Sequence, residues 1–192
     1  MPHHHNLEGS AQERAAHLLI TPSALAQLSL SDARTVVRYM QPQRVAAGTM
    51  FIQAGESTKN DYMLLVIDGD VTVENQASPS SEGMVVTVLG PGSLIGAMGL
   101  IDGAPRSANC TANTDLAVAL LSRDALMRLI DKQPKVAAHL LLAVSKCLSD
   151  YLREANHKLM AFAQVGRALQ QEVDAAHNAI PPFRGNALPA GD

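Results

Sequence analysis

Arg106 is the only cation in residues 92–112, GSLIGAMGLIDGAPRSANCTA, and Asp102 is the only anion. Gly92, Gly96, Gly99 and Gly103 lead up to that arginine. Glycine removes the Cβ that keeps a backbone at a distance, so the N–H groups of a short helical turn over LIGAMGL can approach an anion. A guanidinium adds a planar fork that matches phosphate oxygens. The expected chemistry is non-covalent capture of an anion by Ile95, Gly96, Ala97, Met98 and Gly99, with Arg106, Ser107 and Ala108 as further donors. An arginine that merely pairs with its own loop is the competing reading. Nucleophilic chemistry finds little support: there is no GxSxG, and Ser93 and Ser107 have no base near them in the sequence.

These residues need a scaffold. Short β-rich runs recur from about 43 to 121: QRVAA, TMFIQ, YMLLVI, VTVEN, MVVTVL and LAVALL. Turn signals separate them at 47–48, 54–56, 68–69, 78–83 and 90–92. Regular short strands with glycine punctuation predict an all-β barrel or jelly roll, and IDG at 67–69 predicts a hairpin turn. Helical spacing flanks this region. Residues 11–40 read as helices, with Pro22 in a first turn and Ser31 as the cap of DARTVVRYM. Ser122 caps SRDALMRLIDKQ, and Pro134 opens a helix expected to run to about His177.

That last helix repeats apolar residues at Leu141, Val144, Leu148, Tyr151, Ala155, Phe162, Val165 and Leu169, with no sheet left to cover. Roughly 40 helical residues measure about 60 Å. Such a helix outruns a small roll, so a parallel coiled-coil homodimer through 134–177 is the simplest arrangement. Two shorter helices folding back, broken at Gly166, are the alternative. The expected organisation is a disordered tail or tag remnant at 1–10, a β-roll with flanking helices at 11–133, the long helix at 134–177 and a flexible tail at 178–192.

Composition narrows the classes. The apolar fraction is 47% and the charged fraction 17%, as in a globular protein. A net charge of −3 and 3% aromatic residues without Trp give no support to nucleic-acid binding. Cys110 and Cys147 form no CxxC pattern and read as free thiols in a reducing compartment, the cytoplasm. The N-terminus lacks a signal-type apolar core, and HLLLAV is too short to span a bilayer, so no membrane role is expected.

The order of elements, together with VAAGTMFIQAGE, DYMLLVIDGDVTV, LGPGSLIGAMGLIDGAPRSANCTA and LAVALLSRDALMRLI, resembles the cyclic-nucleotide-binding domain family over residues about 20–160. The resemblance implies a mainly β fold with α: a double-stranded β-helix (jelly roll) flanked by N-terminal helices and a long C-terminal dimerisation helix. It also implies that 92–112 is the phosphate-binding cassette of a regulatory, non-catalytic domain. Cyclic AMP or cyclic GMP is then the expected ligand, no cofactor is required, and a downstream protein partner of unknown identity reads the response.

Three departures qualify the resemblance. Ala97 stands where the family places a glutamate that accepts from the ribose 2′-hydroxyl, and Asp102 lies on the far side of the loop. The base zone of the long helix holds Leu148 and Tyr151, with Tyr151 offering a ring and a hydroxyl; a dimer seam is the plainer reading of both. About fifteen residues follow His177, too few for the family's helix-turn-helix, so no DNA binding by this chain is expected. Two rivals remain open: a ligand-free dimerisation scaffold, and a sensor of a different phosphorylated molecule. A jelly-roll metal enzyme is disfavoured because no histidine lies between His17 and His139.

Overall fold

The computed structural model describes residues 4–58, 60–75 and 84–179. Two helices, α1 (His4–Leu19) and α2 (Leu30–Val37), precede β1 (Gln41–Val45), β2 (Met50–Ile52), β3 (Tyr62–Asp68), β4 (Val71–Asn75), β5 (Met84–Leu89) and β6 (Leu94–Ile95). The short α3 (Ala97–Asp102) follows, then β7 (Asn109–Ala112), β8 (Leu116–Ser122), α4 (Arg123–Lys132) and α5 (Pro134–Ala179). The strands form two antiparallel four-stranded sheets, ordered β1-β8-β3-β6 and β2-β7-β4-β5. This is the jelly roll expected from the spacing of the strands.

Side chains alternate across a strand, so one sheet can serve two cores. In β3, Met63 and Leu65 face a cluster shared with Leu19, Leu25, Leu126, Leu129, Leu140 and Val144 of the helical segments. Leu64 and Val66 face the roll interior with Ile52, Ile95, Cys110 and Val118.

Several expectations change. The IDG turn is not a hairpin: β3 pairs with β6 and β8, while β4 pairs with β5 and β7. Gly69, at φ +87°, carries the chain from one sheet to the other, and a Cβ there would lie 2.5 Å from the Asp115 carbonyl oxygen. Ser29, not Ser31, caps α2, its side chain accepting from the Asp32 N–H at 3.1 Å. Pro22 sits in a run of turns between α1 and α2 rather than in a helix. Residues 4–10, expected as a tail, are the first turns of α1. Ser122 does cap α4, accepting from the Ala125 N–H at 3.2 Å. The 78–83 turn and the tail from 180 onward lie outside the described residues.

The chain divides into two units, Met1–Ser149 and Asp150–Asp192. In the first, α5 does have a sheet's helical layer to cover: Ala137, Leu140, Ala143 and Val144 are buried. In the second, α5 continues through Gly166 without a break and exposes Leu152, Leu159, Phe162, Leu169 and Val173. Among the described residues, no helix is long and apolar enough to cross a membrane.

Candidate functional site

The residues around Arg106 come from four places in the chain. The start of β3 brings Asn60 and Tyr62. The end of β6 brings Ile95 and Gly96. Helix α3 brings Ala97, Met98 and Gly99, and the loop before β7 brings Arg106, Ser107 and Ala108. The backbone ties them together. Arg106 N–H donates to the Glu56 carbonyl at 3.1 Å, and its carbonyl accepts from Gly55 N–H at 2.8 Å. Asn109 Oδ1 accepts from Ala54 N–H at 2.7 Å. The AGE turn at 54–56 is therefore pinned against the arginine loop.

Arg106 is buried, 7% exposed. Its Nη1 donates to the Gly96 carbonyl at 3.3 Å and its Nη2 to the Tyr62 carbonyl at 3.1 Å. Its Cζ lies 4.2 Å from the centre of the Tyr62 ring, a cation–π stack. No carboxylate among the described residues pairs with it.

The glycines have a steric reason. Gly96 opens α3 in the left-handed region, at φ +78°, and a Cβ there would collide with Arg106 Nη1. A Cβ at Gly99 would lie 2.5 Å from the Asn60 carbonyl oxygen and 2.8 Å from Arg106 Nη1. These positions are glycine because the guanidinium lies against them.

The other candidates fall out differently. Ile95 belongs to the roll interior. Ala97 is 6% exposed and packs in the helix-side core with Leu94 and Leu100. Met98 and Ser107 are exposed, and Ala108 is half-buried. Asp102 accepts from Ala104 N–H at 2.9 Å, which commits its carboxylate to its own loop. Leu148 is partly buried against the helix-side core. Tyr151 belongs to the separate second unit and is about half exposed. Cys110 is buried in the roll, and burial pushes its thiol up to about 11 against the opposing pull of Arg106; it is no nucleophile at neutral pH. Cys147 is a second free thiol, partly buried.

Two residues escaped the sequence reading. Tyr62 supplies the ring and a carbonyl to Arg106. Asn60, 5% exposed, donates from Nδ2 to the Gly103 carbonyl at 2.9 Å and to the Ala104 carbonyl at 2.6 Å. Both lie more than forty residues from the groups they hold, and a strand start carries no spacing signal that points to them. A groove of about 780 Å³ on the helix side of the first sheet, lined by Ala15, Met40, Arg44 and Ile67 among others, includes no cassette residue.

The arrangement can hold an anion. A guanidinium has five N–H donors, and two here are used by carbonyls. Among the described residues no three His, Cys, Asp or Glu side chains gather as a metal site.

Comparison with known proteins gives a consistent picture. Residues 42–133 match the family described as "Cyclic nucleotide-binding domain". A CRP-like cAMP-activated global transcriptional regulator of Mycobacterium tuberculosis is 28% identical over 160 residues, 82% of this chain and 65% of the regulator. A cyclic nucleotide-gated potassium channel of Mesorhizobium japonicum is 33% identical over 102 residues, 53% of this chain and 26% of the channel. The chain thus spans less than two thirds of these curated relatives. The crystal structure of a cyclic nucleotide-binding domain from Methylobacillus flagellatus superposes with a TM-score of 0.67 at 28% identity, covering 79% of this chain and 83% of that one.

Proposed function

Residues 42–133 belong to the cyclic nucleotide-binding domain family, and from that premise we propose that this chain is a regulatory sensor module. Its cassette takes a phosphate-bearing ligand, cyclic AMP or cyclic GMP first, and its C-terminal helix pairs with that of a second copy. The observation that carries the ligand is Arg106: a cation 7% exposed, held by two carbonyls and a ring, with no carboxylate partner among the described residues. Burying a charge without a counter-charge is costly, and a bound anion offsets that cost. The relatives named for cyclic AMP activation and cyclic-nucleotide gating favour a cyclic nucleotide as that anion.

The module acts by shifting a packing equilibrium rather than by catalysis. The cassette shares its core with the helices. Ala97 and Leu100 of α3 share the helix-side core with Leu140 and Val144 of α5. At the start of the cassette, the Gly92 carbonyl accepts from Thr21 Oγ1 at 3.3 Å and Ser23 Oγ at 3.1 Å. A ligand moves such an equilibrium only by its difference in affinity between the two packings.

Ala97 favours a second reading. Its methyl cannot accept from a ribose hydroxyl, a loss on the order of 1–3 kcal/mol, or about ten- to a hundredfold in affinity. A phosphorylated ligand without that hydroxyl would not be penalised, and a dimerisation module without ligand would be indifferent. Calorimetric titration of the full chain with cyclic AMP and cyclic GMP, beside Arg106→Ala, separates these. Micromolar binding that disappears in Arg106→Ala is the expected result. No heat and no thermal shift up to millimolar nucleotide would overturn the first reading in favour of the second.

A further inference from the structure

Arg106 cannot rest just anywhere in the cassette. Gly96 and Gly99 leave room for its Nη1 that any Cβ would close, and two carbonyls fix its terminal nitrogens. The remaining restraint is the Tyr62 ring, 4.2 Å from Cζ. Tyr62 is itself partly buried against the roll interior, so the ring is a fixed surface rather than a mobile one.

We propose that Tyr62 is a positioning residue of the cassette: its ring and carbonyl hold the Arg106 guanidinium ready for an anion. This deepens the reading above and rests on it. The Tyr62 ring lies against the guanidinium carbon, and the carbonyls of Gly96 and Tyr62 each take one donor. Three of its five N–H donors are left for a ligand. Arginine has much rotamer freedom to lose, and a site that has already restricted it binds more tightly. Without the ring, one face of the cation loses its partner, the side chain regains freedom, and the ligand must order it at the moment of binding.

Tyr62→Leu keeps the backbone carbonyl and an apolar side chain and removes the ring together with its hydroxyl. Tyr62→Phe keeps the face and removes the hydroxyl. Cyclic AMP affinity in Tyr62→Leu is expected to fall about three- to tenfold, within the range of a partly desolvated cation–π contact. In Tyr62→Phe it should stay within about twofold of the unsubstituted protein. The second readout needs no ligand: the side-chain Nε–Hε resonance of Arg106, which the ring current displaces when the stack exists.

The expected pattern is a displaced resonance in the unsubstituted protein and in Tyr62→Phe, and its return to the position of a solvated arginine in Tyr62→Leu. Unchanged affinity in a folded Tyr62→Leu overturns the assignment. A solvated-arginine resonance in the unsubstituted protein also overturns it, even where the leucine variant fails to fold. Failure of the functional reading appears separately, as no nucleotide binding by the unsubstituted protein. The resonance then still decides whether Tyr62 holds the guanidinium.

Discussion

Ala97 occupies the place where the family resemblance implies a ribose-binding carboxylate, and its methyl is packed beside Leu94 and Leu100. With no acceptor there, the ribose 2′-hydroxyl contributes nothing at that position. 2′-Deoxy cyclic AMP should therefore bind within about twofold of cyclic AMP in a competition titration; a tenfold loss would reveal another acceptor. The sequence alone suggests that Ala97→Glu restores the missing contact. Its burial adds an opposing effect: a carboxylate placed in an apolar cluster is destabilising by about 1–3 kcal/mol unless it finds a partner, and its pKa rises. A lower urea midpoint for Ala97→Glu is the expected outcome. Gly99→Ala tests the steric argument, because its Cβ meets a backbone carbonyl that cannot swing away. It should cost about 1–3 kcal/mol in urea unfolding, as overpacking does. That Arg106 follows spaced glycines is plain in the sequence, and the structure packs its guanidinium against Gly96 and Gly99. The part of Tyr62 was not legible there, because the contact between them spans 44 positions and arises only from the way the sheets fold.

At the scale of elements, six strand runs were legible, but β6 and β7, which lie inside the glycine-rich stretch, were not, and neither was the pairing. The alternation that marks β3 and β4 is the same in a hairpin as in a roll; what separates them into two sheets is their long-range pairing with β8 and β7. Local capping chemistry has the same ambiguity, since Ser29 and Ser31 both precede α2's apolar face and only the fold selects Ser29. Asn60 shows how an element end can organise a distant loop. Asn60→Ala leaves the Gly103 and Ala104 carbonyls without their side-chain donor, at a cost of about 1–3 kcal/mol. Hydrogen exchange should speed up over residues 102–106 first, ahead of the sheets. A second link joins α5 to α2: His139 Nδ1 lies 2.9 Å from Asp32 Oδ2. That contact, helped by the Ser29 hydroxyl and the charge of Lys135, holds the Asp32 carboxyl below its usual value. A depressed acid stabilises the fold above its unfolded pKa, about 4, and that contribution is lost as pH falls through the lower folded value. The pair is partly exposed, so the effect is below about 1 kcal/mol. Comparing urea midpoints of the unsubstituted protein and His139→Ala from pH 6 to pH 2.5 should show the gap between them closing at the acid end.

For the molecule as a whole, the unsolved requirement is the apolar stripe of the second unit. Leu152, Ala155, Leu159, Phe162, Gly166, Leu169 and Val173 follow one another at alternating steps of three and four, the a/d spacing of a coiled coil. Leu159 is 66% exposed and Phe162 72%. Burying a side chain of that size is worth roughly 1.5–3 kcal/mol, which supports the proposed pairing with a second copy along the stripe. Polar pairs on the same helix, such as Lys158 with Glu154 at 2.7 Å, add a little local helix support without filling the stripe. Phe162 should therefore be central to a homodimer. Light scattering on the full chain should give twice the monomer mass at micromolar concentration. Leu159→Glu with Phe162→Glu places like charges in a closed seam, so it should give the monomer mass. The β-roll should remain folded, because the first unit holds its own core. Nucleotide titration of that monomer then separates two mechanisms. Unchanged affinity would mean that the cassette works within one copy and the dimer only reads it. Weakened affinity would mean that pairing of the helices and closure of the cassette are coupled, and by reciprocity ligand would then tighten the dimer by the same factor.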